Sequence, residues 1–118
     1  MLRRLLELEG FQVIEATDGQ QAIEAALGES PDLILMDISL PKVDGFQATR
    51  EIRAAKGLKS PPIIMLSALD TDENRIEAAA AGCSDYITKP IDFDQLLELI
   101  GKYSARDGRA DSQAASVE

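Results

Sequence analysis

Histidine is absent from the sequence, and cysteine occurs once, at Cys83. Without His there is no imidazole general base, no imidazole metal ligand and no site for a phosphohistidine. One Cys permits neither an internal disulfide nor a Cys-only zinc cluster, and it fits a reducing cytoplasm. Positive charge is scarce: 12 Lys and Arg stand against 21 Asp and Glu, for a net charge of −9. Such a chain has no basic footprint for wrapping nucleic acid. No apolar run reaches the roughly 18 residues that suggest a membrane span. The opening MLRRLLELEG is short and broken by Glu7 and Glu9, so it does not read as a signal peptide.

What remains is an ordinary globular balance, 45% hydrophobic and 28% charged over 118 residues. That length fits one domain with a real core. Short apolar runs alternate with helical stretches. Phe11–Ala16 reads as a strand with partial alternation, and Asp32–Asp37, Pro62–Ser67 and Asp85–Lys89 as further strands. The second and third are almost wholly apolar, as strands covered on both faces of a parallel sheet are. Asp18, Asp44, Asp70 and Asp92 each stand at a plausible N-cap, with Gln or Glu three residues on. Gly28, Gly57 and Gly82 fall where the first three of these helices should stop. Met1–Gly10 reads as one more helix, with Leu2, Leu5 and Leu6 inward and Leu8 a further inward candidate. Repeated strand–helix units with short connections predict a doubly wound α/β domain. Residues 104–118 are small and polar without periodicity, and read as a disordered tail.

Open parallel sheets bind ligands beyond the carboxyl ends of their strands. Ala16–Asp18, Asp37, Ser67-Ala68 and Lys89-Pro90 occupy those ends, so an Asp, a Ser and a Lys should converge on one edge. Asp37 closes an apolar strand, where a carboxylate is costly unless paired, metal-bound or solvated. It either caps the following turn or serves as a nucleophile that forms an acyl phosphate. Lys89 either ends a strand at the surface or pairs with an anion in the crevice, and its bond to Pro90 is a candidate cis peptide. Ser67 is a strand-end hydroxyl, informative only in company. Tyr86 taken alone is an amphipathic edge residue.

The stretch Asp32-Leu-Ile-Leu-Met-Asp-Ile-Ser-Leu-Pro-Lys-Val-Asp-Gly-Phe46, with Ser67-Ala68 and Gly82-Cys-Ser-Asp-Tyr-Ile-Thr-Lys-Pro-Ile91, resembles the receiver domain of two-component response regulators. The resemblance runs from about residue 2 to residue 103, and is greatest to stand-alone receivers and those of hybrid histidine kinases. It implies a flavodoxin-like parallel sheet in the order 2-1-3-4-5. It implies that Asp37 is a phosphoacceptor served by a histidine kinase or histidine phosphotransfer protein, that Lys89 pairs with the phosphoryl group, and that Ser67 closes on it. Tyr86 would turn inward with Ser67. Mg²⁺ would be the cofactor, with Asp37 and the main-chain carbonyl of Ser39 among its ligands. Output would be by protein contact through the last strand and last two helices.

Against the family pattern, the chain starts within the helix that follows the family's first strand. Four strands are expected at 1–103, and the central strand with its closing pair of acids is missing. Asp37 and one carbonyl make a poor Mg²⁺ site, and Asp18 is the nearest substitute carboxylate by position. The open sheet offers a route to self-association. Two functions compete: a phosphorelay receiver whose only catalysis is acceptance and hydrolysis of a phosphoryl group at Asp37, and a degenerate receiver that binds proteins without phosphorylation. An unrelated α/β enzyme is disfavoured by the lack of a Gly-rich phosphate loop, a nucleophile elbow and His. A cytoplasmic location is expected, with no direct contact to nucleic acid or membrane.

Overall fold

The computed structural model describes residues 2–29, 31–38, 44–55, 61–68, 71–106 and 113–117. The chain opens with α1 (Leu2–Leu8), then alternates β1 (Gln12–Ala16), α2 (Gly19–Glu29), β2 (Leu33–Asp37), α3 (Gly45–Ala54), β3 (Ile63–Ser67), α4 (Asp72–Ala81), β4 (Asp85–Thr88) and α5 (Phe93–Arg106). A last strand, β5 (Gln113–Val117), follows α5. The described pairings are all parallel, and the sheet order is β1-β5-β2-β3-β4.

The apolar runs at β2 and β3 are continuous because helices cover both faces of the sheet. Strand residues alternate between the two layers. Leu33 and Leu35 of β2 pack with Ile64 and Leu66 of β3, Leu6 of α1, and Leu96, Ile100 and Tyr103 of α5. Ile34 and Met36 face the opposite layer, with Ile63 and Met65, Ala22, Ile23 and Ala26 of α2, Phe46 and Ile52 of α3, and Ala78 and Ala81 of α4. Leu8 does not join the core and is 78% exposed. α1 ends at Leu8, and Gly10 then turns the chain at φ 94.

Local signals account for most helix ends. The Asp44 side chain accepts from the Gln47 N–H at 2.9 Å, and Asp18 accepts from the Gln21 N–H at 2.8 Å. Asp92 accepts from the Asp94 and Gln95 N–H groups. α4 differs: its N-cap is Thr71, whose hydroxyl accepts from the Asn74 N–H at 3.1 Å. Thr71 is itself a good cap, and Asp70 lies outside the described residues. Gly82 closes α4 in the left-handed region at φ 106, whereas α2 runs through Gly28 to Glu29. Gly57 lies outside the described residues.

Residues 104–118 are the stretch expected to be a disordered tail beyond a four-stranded sheet. Residues 104–106 complete α5, and Gln113–Val117 form β5 in the central position between β1 and β2. β5 pairs with β1 from Gln12↔Gln113 to Ala16↔Val117, and with β2 from Leu33↔Ala114 to Leu35↔Ser116. The physical reason is the backbone. Two strands facing a gap present rows of N–H and C=O groups that require partners, and polar composition does not prevent a segment from supplying them. Residues 107–112 and 118 lie outside the described residues.

Candidate functional site

Three parallel strands end side by side at the carboxyl edge of the sheet. Asp37 ends β2, Ser67 ends β3, and Lys89 directly follows β4. Backbone bonds carry the ladder past the strand ends: the Ile38 N–H donates to Leu66 O at 3.1 Å, and the Lys89 N–H to Ser67 O at 2.7 Å. The Lys89 ammonium forms an ion pair and hydrogen bond with Asp37 Oδ2. The Asp37 side chain is 12% exposed and that of Lys89 is 38% exposed, so the pair sits at a crevice mouth. Ser67 is buried at the same edge. The Lys89–Pro90 peptide bond is cis.

Asp37 is positioned from behind by α3. The Gly45 N–H donates to Ile38 O at 3.0 Å, folding the start of α3 onto the end of β2. A Cβ at Gly45 would lie 2.4 Å from the Asp37 carbonyl oxygen and 2.8 Å from Ile38 Cα. Only glycine fits this approach of backbone to backbone. Thr49, fully buried one turn on, donates its hydroxyl to Gly45 O at 2.8 Å and fixes the same turn. Neither constraint was apparent from the sequence. Gly45 stood in the Asp-Gly pair without a stated packing role, and a buried Thr in a helix carries no signal of its own.

Tyr86 lies on β4, half-buried, with the Arg75 guanidinium of α4 over its ring at 4.8 Å from the centroid. That distance is within the range of a cation–π contact. Asp18 is buried beyond the end of β1, its carboxylate engaged in capping α2. Ser39 lies outside the described residues.

A magnesium site needs several oxygen donors in near-octahedral array. Among the described residues no three Asp, Glu, Cys or His side chains gather where they could hold one ion. The Asp37 carboxylate already accepts from Lys89. The donors described here therefore do not by themselves compose such a site.

At the amino edge of the sheet, Arg53 of α3 donates from Nε to Gly82 O at 2.9 Å, from Nη1 to Pro61 O, and from Nη2 to Ser84 Oγ at 3.4 Å. Burial pushes the Arg53 pKa down, while the neighbouring Cys83 thiol acts in the opposite sense. Burial likewise pushes the Cys83 thiol up. The Asp85 carboxylate adds to that rise, and Arg53 opposes it. No described helix is long and apolar enough to cross a membrane.

The family model described as the response regulator receiver domain matches residues 1–101. Protein PilH of Pseudomonas aeruginosa is 36% identical over 99 residues, covering 84% of this chain and 82% of that one. The chemotaxis protein CheY of Bacillus subtilis is 41% identical over 103 residues, covering 86% of this chain and 84% of that protein. Other relatives are longer transcriptional regulators, of which the chain spans 47% and 50% of the length. Among solved structures, the receiver domain of the sensor histidine kinase PA1611 from Pseudomonas aeruginosa superposes with a TM-score of 0.81 at 36% identity, over 88% of this chain and 85% of that one. That structure carries a magnesium ion coordinated in its active-site cleft.

Proposed function

The chain belongs to the response regulator receiver domains of two-component signalling, and from that membership we propose that Asp37 accepts a phosphoryl group from a phosphohistidine on a partner protein. The 118 residues hold no His, so the phosphohistidine lies outside them, on a histidine kinase or histidine phosphotransfer protein. An Asp37 carboxylate oxygen bonds to phosphorus as the phosphorus–nitrogen bond breaks. The electron pair of that bond returns to the imidazole, and the product is an acyl phosphate. The carrying observation is the Lys89 ammonium held on Asp37 Oδ2. In this role Lys89 offsets negative charge on the transferred phosphoryl oxygens. Ser67, at the neighbouring strand end, supplies a hydroxyl donor, and Tyr86 follows it. The signal passes to another protein by surface contact in a cytoplasmic setting.

Divalent-ion chemistry belongs to the family, and a magnesium ion would add positive charge beside the acceptor. With one carboxylate already paired to Lys89, magnesium binding by this chain is weak. The competing reading, a binding module that takes no phosphate, draws on the same lack of a described acid cluster. Intact mass after incubation with acetyl phosphate, with and without MgCl₂, separates the two. One added phosphoryl group, lost in Asp37→Asn and strongly reduced in Lys89→Ala, supports the phosphoacceptor. No added mass under either condition favours the binding module.

A further inference from the structure

We infer that Thr49 is a positioning residue for phosphoryl acceptance: its buried hydroxyl sets the first turn of α3, and that turn holds the Asp37 backbone at the end of β2. Thr49 acts through Gly45 rather than on the reacting atoms, and the inference rests on the assignment of Asp37 as phosphoacceptor.

Thr49 is 0% exposed on the buried face of α3, which otherwise carries Gly45, Phe46, Ala48 and Ile52. A valine there would have nearly the same shape and no polar group to bury. The helix itself does not require the hydroxyl. In an α-helix a carbonyl takes the N–H four residues on. The Thr49 hydroxyl, donating to Gly45 O at 2.8 Å, is a further donor to a carbonyl that the helix pattern already serves. Back-bonding of this kind tends to bend a helix and slightly destabilises it. The hydroxyl is therefore explained by what the turn positions, not by the stability of α3.

Gly45 is the link from that turn to the site. Its N–H donates to Ile38 O at 3.0 Å. A Cβ on it would lie 2.4 Å from the Asp37 carbonyl oxygen and 3.0 Å from the Asp37 carbonyl carbon, so the first turn presses directly on the Asp37–Ile38 peptide. On the far side of that peptide, the Asp37 side chain meets the Lys89 ammonium. A shift of Gly45 passes to Asp37 from backbone to backbone, with no side-chain torsion between them to absorb it. Thr49 is itself β-branched and stiff at χ1, so its hydroxyl is a firm tether. A methyl in its place makes no hydrogen bond and needs about 3.4 Å to a carbonyl oxygen. Misplacing a reacting group by about 1 Å can cost on the order of a hundredfold in rate, and a fraction of that shift about tenfold.

The test compares the natural 118-residue chain with Thr49→Val and Thr49→Ser. Phosphoryl acceptance is followed by intact mass with acetyl phosphate and, separately, with phosphoramidate, both in MgCl₂. Thermal midpoints are measured on the same samples. Thr49→Val should accept about tenfold more slowly, yet melt within about 4 °C of the natural chain. Thr49→Ser keeps the hydroxyl and gives up a buried methyl. It should accept near the natural rate while melting below Thr49→Val. The slowing in Thr49→Val should be the same with both donors, because Thr49 acts on the acceptor. Rates that follow the midpoints across the three proteins would reduce Thr49 to packing and overturn the inference. So would an unchanged rate in Thr49→Val, or a loss seen with one donor only. Each of these outcomes requires a natural chain that accepts phosphoryl groups, and leaves the assignment of Asp37 standing. A natural chain that takes none from either donor removes that assignment, and the inference with it.

Discussion

A glycine and a cysteine show how single residues set the behaviour of this site and its supports. Gly45 carries no chemistry, yet its missing Cβ lets α3 begin against the Asp37 carbonyl. Gly45→Ala forces backbone apart at a contact that cannot yield by a side-chain rotation. It should cost about 1–3 kcal/mol, read as a lower thermal midpoint. It should also slow phosphoryl acceptance at Asp37 more than Gly28→Ala does, since a Cβ at Gly28 meets nothing within 4 Å. Equal effects of the two substitutions would refute the positioning role. Cys83 gives a pH dependence. Its thiol titrates above the ordinary value of about 8.5 because burial disfavours the thiolate. The neutral thiol is the form the fold prefers. Its contribution is therefore fully present below the unfolded value and lost as pH rises through the raised folded value. The stability difference between the natural chain and Cys83→Ala should be constant from pH 6 to about 8, then shift against the natural chain above the ordinary thiol value. Urea melts at stepped pH measure this, and a flat difference up to pH 10 would contradict it.

Elements are joined at the amino edge of the sheet by one guanidinium. Arg53 links α3 to the entry of β3 and to the turn between α4 and β4 through three acceptors. Ser84, one of these, also accepts from the Ile63 N–H, and its carbonyl accepts from the Tyr103 hydroxyl of α5. Arg53→Ala leaves half-buried carbonyls without their donor and should destabilise by about 2–4 kcal/mol, since bonds to charged groups each contribute roughly 1.5–3. Arg53→Lys should recover only part, because an ammonium cannot match the planar fork. A thermal midpoint for Arg53→Ala within about 2 °C of the natural chain would refute the clamp. None of this was legible in the sequence, where Arg53 is one basic residue in a helix. β2, β3, α3, the end of β4 and the start of α5 were legible. Continuous apolar runs, Asp caps and Gly82 are local signals, and local signals survive into the fold. The pairing of Asp37 with Lys89 follows from topology, since parallel strands bring their carboxyl ends to one edge. The Arg53 clamp and the packing at Gly45 arise from contacts between elements distant in sequence, which no local pattern encodes.

At the scale of the whole molecule, the same contrast explains β5. Its sequence has a single β-branched residue, and it pairs in register with β1 and β2. Hydrogen bonds formed by a strand between two neighbours each contribute about 1 kcal/mol net. They offset the conformational entropy of ordering five residues, of which Ala114 and Ala115 have no rotamer freedom to lose. A chain in which Gln113–Val117 pair with β1 and β2 has its sheet edges at β1 and β4, and no gap inside. The 118-residue chain should therefore be monomeric in light scattering and melt cooperatively. Deletion of residues 107–118 should open the gap and expose two strand edges flanked by the apolar residues of β2. The expected consequences are a loss on the order of 3 kcal/mol, a fall of roughly 10–20 °C in thermal midpoint, and dimers or larger species at micromolar concentration. A deletion variant that remained monomeric with an unchanged midpoint would show that β5 contributes nothing to the fold.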